Sequence, residues 1–209
     1  MSPANRFTLV LFHRRHSSIQ SRILFVAFIT MFGAPPAVAK GPRTGVTIKN
    51  FGRMDEHFYR GAQPKRNEYK ELASAGVKTV IDLRDDPENW ARTAAEESGL
   101  HYVNIRLSDS RRPSAEQIDE FFKVTAGSDR PFFVHCEGGR HRTGVMGALY
   151  RMKVQGWSAD QAYEEMKRYK FYTRWGHGDM KEFVFDYYQG MHKSGTAPAI
   201  PGPEENKIR

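Results

Sequence analysis

The chain has 209 residues, enough for one domain with a real core and little beyond it. At 39% hydrophobic and 27% charged it reads as a globular protein, neither disordered nor fibrous. Its single cysteine excludes an intramolecular disulfide and a thiolate-built structural zinc site, and its formal net charge is +8.

The first 39 residues read as a targeting segment. Arg6, Arg14, Arg15 and Arg22 precede an apolar run from Ile23 to Ala34, and Ala37-Val38-Ala39 places small residues where a signal peptidase reads. The run is shorter than the roughly 20 residues of a membrane-spanning helix. Cleavage after Ala39 and a periplasmic or secreted location are therefore expected, with no stable membrane insertion afterwards. An uncleaved membrane anchor and a buried core helix are the alternatives. Cleavage would remove four arginines and no acid, halving the net charge. No case for nucleic acid remains, since that rests on a clustered basic face.

Residues 40–50 read as a polar lead-in, 51–191 as the folded domain, and 192–209 as a disordered tail with Pro198, Pro201 and Pro203. Within the domain, Phe58 to Arg60 suits a short strand. Pro64 opens a helix to Ala75, stopped by Gly76. Val77 to Leu83 is β-branched and apolar, as a buried strand is. Pro87 starts a helix that Gly99 ends, and Leu100 to Leu107 alternates like a strand. Ser114 with Gln117 forms a capping box for a helix to Ala126. Pro131 to His135 is a short apolar strand. A glycine-rich turn and a helix from Thr143 to Gln155 follow. Ser158 with Gln161 caps a helix to Tyr169, and a last helix spans Gly178 to Met191. Strands alternating with helices predict an α/β fold, a central mainly parallel sheet flanked by helices. Ligands of such sheets bind beyond the carboxyl ends of the strands.

The glycine-rich turn lies at such an end and reads His135-Cys136-Glu137-Gly138-Gly139-Arg140-His141-Arg142-Thr143-Gly144. Cys136 closes a strand and Arg142 opens a helix. Backbone N–H groups converging at a helix N-terminus favour a thiolate and cradle phosphate oxygens. Gly138 and Gly139 let the backbone wrap closely, because they tolerate positive φ. Arg142 offers a planar fork to a phosphoryl group. Thr143 brings a hydroxyl near the sulfur, and His135 is expected to orient the loop from behind. Arg140 and His141 should add positive potential at the rim, which Glu137 opposes. An inert buried cysteine is the bland alternative.

These residues resemble the dual-specificity branch of the protein tyrosine phosphatase superfamily, with its His-Cys-x5-Arg-Ser/Thr signature. The resemblance runs from about Phe51 to Tyr188. It includes Tyr59-Arg60-Gly61-Ala62-Gln63-Pro64 and Val80-Ile81-Asp82-Leu83-Arg84, and it is closest to small bacterial tyrosine or serine phosphatases. Arg140-His141-Arg142 is also similar to relatives acting on inositol pyrophosphates, and Glu137 to bacterial cysteine phytases. The resemblance implies a phosphocysteine intermediate on Cys136. It also implies a general acid about 30 residues earlier, since an alkoxide leaves poorly unprotonated. Asp109, 27 residues before Cys136, fits that place, with Asp85 and Asp86 in reserve as turn-forming acids.

Arg84 is expected to support the loop or the acid, and Arg106 to lie on a solvated face. Arg174, His177 and Asp179 form a polar turn that can line the pocket, and Trp90, Trp157 and Trp175 suit packing. His101 has no metal-ligand spacing; neither metal nor cofactor is expected. The expected substrate is a phosphorylated protein or a small polyanionic phosphate ester, and the expected state a monomer. A rhodanese-type sulfurtransferase and a catalytically dead phosphoryl-binding module are the competing classes. The former has no use for Arg142 with Thr143 or for Asp109, and the latter typically loses one of the three.

Overall fold

A computed structural model describes residues 45–194 apart from Trp175. The targeting segment, most of the tail and Trp175 lie outside the described residues. Five strands form one sheet in the order β1-β2-β5-β3-β4. They are β1 (Gly52–Arg53), β2 (Phe58–Ala62), β3 (Thr79–Arg84), β4 (His101–Leu107) and β5 (Phe132–Cys136). Only β1 runs antiparallel, so the expected mainly parallel α/β sheet is present. The helices are α1 (Glu68–Ser74), α2 (Ala91–Glu97), α3 (Ala115–Ala126), α4 (Arg142–Gln155), α5 (Ala159–Arg168) and α6 (Gly178–Lys193). Among the described residues no helix is long and apolar enough to cross a membrane.

The alternation of strand side chains builds a core on each face. Phe58, Ile81, Ile105, Leu107, Phe132 and Val134 pack with α3 to α6. Tyr59, Val80, Tyr102 and Phe133 pack with α1 and α2. Both predicted capping boxes form, at Ser114 and Ser158. The helices expected from Pro64 and Pro87 begin later, at Glu68 and Ala91, after turns.

The lead-in is a correction. Ile48 is buried in the α1–α2 core, and Thr47 Oγ1 donates to Glu71. Residues just before Phe51 therefore belong to the fold. His192 and Lys193, assigned to the tail, complete α6.

Candidate active site

Cys136 ends β5, between β2 and β3, and Arg142 opens α4. The intervening carbonyls turn outward onto named donors. Gln63 N–H donates to Glu137 O at 3.0 Å. Asn50 Nδ2 donates to Gly139 O at 2.9 Å, and Arg60 Nη2 donates to the same oxygen at 2.8 Å. The N–H groups of residues 137–140 donate to no backbone carbonyl among the described residues. They and the N-terminus of α4 can serve an oxyanion on the concave side. Gly139 has φ +63°, and a Cβ there would lie 2.3 Å from Gly61 O. No side chain fits that backbone-on-backbone approach. Gly138 does not use that freedom: it does not take positive φ, and its Cβ would meet only the Arg140 side chain at 3.6 Å.

Arg142 is buried, and its Nη1 donates to Asp85 Oδ1 at 2.7 Å and Leu107 O at 3.2 Å. Leu107 ends β4, so Asp109, two residues on, leaves the same sheet edge as the cysteine loop. Asp109 is exposed and forms no ion pair among the described residues. The reserve acids are engaged, Asp85 by Arg142 and Asp86 by Arg84. The hydrogen bond from Arg84 holds the Asp86 carboxyl below its ordinary range. Arg84 Nη1 also donates to Gln63 Oε1 at 3.2 Å. It thus reaches the loop through the residue that holds Glu137 O. Arg106 is exposed, with Asn104 3.4 Å away, as a solvated-face residue would be.

Behind the loop, Thr143 is fully buried. The His135 ring is also buried, stacked on Phe133, with Nδ1 3.9 Å from Asp82. Burial pushes the imidazole below its ordinary range, so it is neutral at pH 7. Asp82 accepts from Tyr102 Oη at 2.6 Å and from Arg84 N–H at 2.9 Å. Side chains along β5 alternate, so His135 points to the α1–α2 face with Phe133. It lies beneath the strand end that opens into the loop. Buried side-chain polar atoms without a partner occur, among the described residues, on Arg60, His135, His141 and Thr143. All four residues belong to the loop or adjoin it, and such atoms are uncommon outside functional sites.

At the rim, Glu137 and Arg140 are exposed. The His141 ring stacks on His177 at 3.5 Å and 12°, with Tyr172 edge-on at 4.4 Å. Burial, then the nearby His177 and Arg140, push His141 down to about 4. Among the described residues of the polar turn, His177 meets the loop. Arg174 gives its carbonyl to His177 Nδ1 at 2.9 Å, while Asp179 turns to Arg112 at 2.7 Å. Trp90 packs edge-on against Tyr69, and Trp157 lies over the Arg151 guanidinium.

Sequence reasoning missed Asn50 and Tyr169, and gave Arg60 no role. Arg60 carried a signal, a charged residue at an inward position of a buried strand. Asn50 carried none: its partners lie 89 and 119 residues away in the chain.

The chain matches the family model "DSP-PTPase phosphatase fused to NAD+ Kinase" over residues 45–181. It is similar to the dual specificity protein phosphatase TpbA of Pseudomonas aeruginosa, 33% identical over 157 residues, 74% of this chain and 68% of that one. It is 25% identical over 128 residues to the inositol diphosphatase DSP4 of Arabidopsis thaliana, covering 57% of this chain and 63% of that one. The crystal structure of a cysteine-to-serine form of P. aeruginosa TpbA in complex with pTyr superposes with a TM-score of 0.57 at 26% identity, over 80% of this chain and 98% of that one. The catalytic core of the S. cerevisiae PP-IP phosphatase SIW14 has the same fold, with a TM-score of 0.57 at 18% identity, over 72% of this chain and 96% of that one.

Proposed function

The chain belongs to the dual-specificity branch of the cysteine-dependent protein tyrosine phosphatases and is a phosphatase acting on phosphate esters, and from that premise we propose how its own residues divide the work. The observation that carries the assignment is the loop itself: Cys136 at a strand end, carbonyls bonded outward, and Arg142 buried at the helix start.

In the first step Cys136 Sγ attacks phosphorus and the P–O ester bond breaks. Asp109 protonates the departing oxygen. The loop N–H groups and Arg142 hold the equatorial oxygens, where charge is greatest in the transition state. In the second step water attacks the phosphocysteine, the Asp109 carboxylate takes its proton, and the thiolate leaves. Thr143 Oγ1, buried and without a hydrogen-bond partner among the described residues, turns to donate to the sulfur as it departs. The exposure of Asp109 suits a group that must meet a bound ester and then water. Arg84 and His135 hold the loop from behind.

Phosphotyrosine in a protein is the substrate class favoured by the likeness to TpbA. Exposed Arg140 beside the loop also favours polyanionic esters, so inositol phosphates form the second class. The protein acts as a monomer, without nucleic acid and without stable insertion in a membrane. We also propose export with cleavage after Ala39, which N-terminal sequencing from an exporting host checks. A mature cytoplasmic chain starting at Met1 would contradict it.

The function is tested by phosphate release from a phosphotyrosine peptide, a phosphoserine peptide and inositol hexakisphosphate. Turnover that vanadate inhibits and a chelator leaves intact is expected, highest on the phosphotyrosine peptide. Turnover restored only by a divalent metal, or none on any ester, would contradict the assignment.

A further inference from the structure

Strand β2 places an arginine where alternation calls for an apolar side chain. Phe58 lies in the core shared with α3 to α6, and Arg60, two residues on, points to the same face. Arg60 is fully buried. Its guanidinium is enclosed on three sides. Nη2 donates to Gly139 O at 2.8 Å. The ring of Tyr169 lies 4.0 Å from its central carbon. Nη1 lies 3.6 Å from where a Cβ on Gly147 of α4 would stand. Nε has no partner.

No carboxylate forms an ion pair or hydrogen bond with Arg60 among the described residues. Glu165 is the acid nearby, but both its oxygens are taken by Arg151, at 2.6 and 2.9 Å. A buried cation without a counter-charge is unfavourable. Burial lowers Arg60 to about 10, which still leaves it protonated at neutral pH. Tyr169, Glu165 and Cys136, in that order, favour the cation, and of these Cys136 is the group whose charge changes in the reaction. Ala62, at the end of the same strand, pairs directly with Cys136, and the two side chains interact electrostatically in the sense that favours cationic Arg60. That coupling is reciprocal: a cation stabilised by a thiolate stabilises the thiolate.

We propose that Arg60 is a positioning residue of the catalytic loop, a buried counter-cation that favours its thiolate and phosphate-bound states while its hydrogen bond to Gly139 turns the loop carbonyl outward. Tyr169 is the platform that keeps the guanidinium there, through a cation–π contact in a desolvated site. Gly52 makes room for that ring, since a Cβ there would lie 2.1 Å from Tyr169 Oη. Asn50 fastens the platform to the loop, because its Nδ2 donates to both Gly139 O and Tyr169 O, at 2.9 and 3.0 Å. This role rests on the phosphatase assignment and adds to it a source of activation outside the signature motif.

The test uses the chain's only cysteine, so alkylation reports one thiol. Iodoacetamide inactivation is followed against pH for wild type, Arg60→Gln, Arg60→Lys, Tyr169→Phe and Tyr169→Leu. The other titratable and charged groups around Arg60 and the loop are the closed Arg151–Glu165 pair, Arg142 with its Asp85, and His135, none of which these variants replaces. Arg60→Gln keeps a donor for Gly139 and loses the charge. Its midpoint should rise by about one pH unit, the lower end of what a nearby opposite charge contributes. Its kcat/KM for p-nitrophenyl phosphate should fall about tenfold or more on the acid side of the profile. Arg60→Lys should recover most of the midpoint. Tyr169→Phe, which keeps the ring face, should match wild type, and Tyr169→Leu should shift as Arg60→Gln does, by less. If Arg60→Gln fails to fold, Tyr169→Leu carries the test. A folded Arg60→Gln or Tyr169→Leu with the wild-type alkylation midpoint would overturn the proposal and leave the phosphatase assignment intact. A wild type that releases phosphate from no ester would overturn the assignment itself.

Discussion

Arg142 and Asp109 meet at the end of one strand: Leu107 O accepts from Arg142, and Asp109 follows two residues later in the chain. This adjacency makes their failures distinguishable. Asp109→Asn removes the proton and keeps the shape. An alkyl phosphate should lose about 10²–10⁴-fold in kcat/KM, the usual worth of a general acid. An activated aryl phosphate, whose phenolate departs unaided, should lose far less. Asp85→Asn loosens Arg142 instead, and should lower both substrates alike by about tenfold, within the usual worth of a charge-assisted hydrogen bond. Equal small losses in Asp109→Asn would move the acid role elsewhere and leave Cys136 and Arg142 untouched. The two loop glycines also separate. Gly139→Ala puts a methyl into Gly61 backbone at a positive φ and should abolish turnover, whereas Gly138→Ala meets only a movable arginine side chain and should lose much less. Turnover of Gly139→Ala near the wild-type level would mean that the loop wraps differently. The sequence showed two glycines of equal standing. What separates them is Gly61, on a strand paired with β5, and no local pattern reveals that pairing.

Two elements bracket the acid loop. The capping box of α3 is complete, and Gln117 Nε2 reaches back to Arg106 O at 2.6 Å, tying the helix start to the end of β4. Ser114→Ala should cost about 1 kcal/mol of stability, measured by urea unfolding; no change would mean that the cap is idle. Both this helix and α5 were legible because their caps are local. The same holds for the buried strands, whose side-chain period is read directly. The two-residue strand β1 was not legible, since its pairing with β2 and not its composition defines it. The contact of the turn before α6 with the loop was half legible, since His177 was expected in a turn that can line the pocket but its stacking on His141 was not. It is made by His177 on His141, and burial, then the nearby His177 and Arg140, push His141 down to about 4 in the fold. A free imidazole titrates at about 6.5, so between these values the unfolded chain binds more protons. Stability from this source is present above about pH 6.5 and lost as pH falls toward 4. The stability gap between wild type and His141→Gln should narrow from pH 7 to pH 5. A gap of constant size would remove His141 from the linkage.

At the scale of the whole molecule, the parallel sheet brings the ends of β3, β4 and β5 to one edge, and the site is drawn from what leaves those ends: Asp85, Asp109 and the cysteine loop. The fold class and the signature loop were legible because strand, turn and helix there are contiguous in sequence. The brace of Asn50, Arg60 and Tyr169 was not, because it assembles residues far apart in the chain around one carbonyl, Gly139 O. In the proposed mechanism all of these parts serve a single chemical event, transfer of phosphate to one sulfur. The most direct test is to quench wild-type enzyme during turnover of a radiolabelled phosphate ester and to map the label. The expected result is phosphate bound through sulfur on the peptide containing Cys136, and neither label nor turnover in Cys136→Ser. Full turnover in Cys136→Ser, or label on any other residue, would contradict the account.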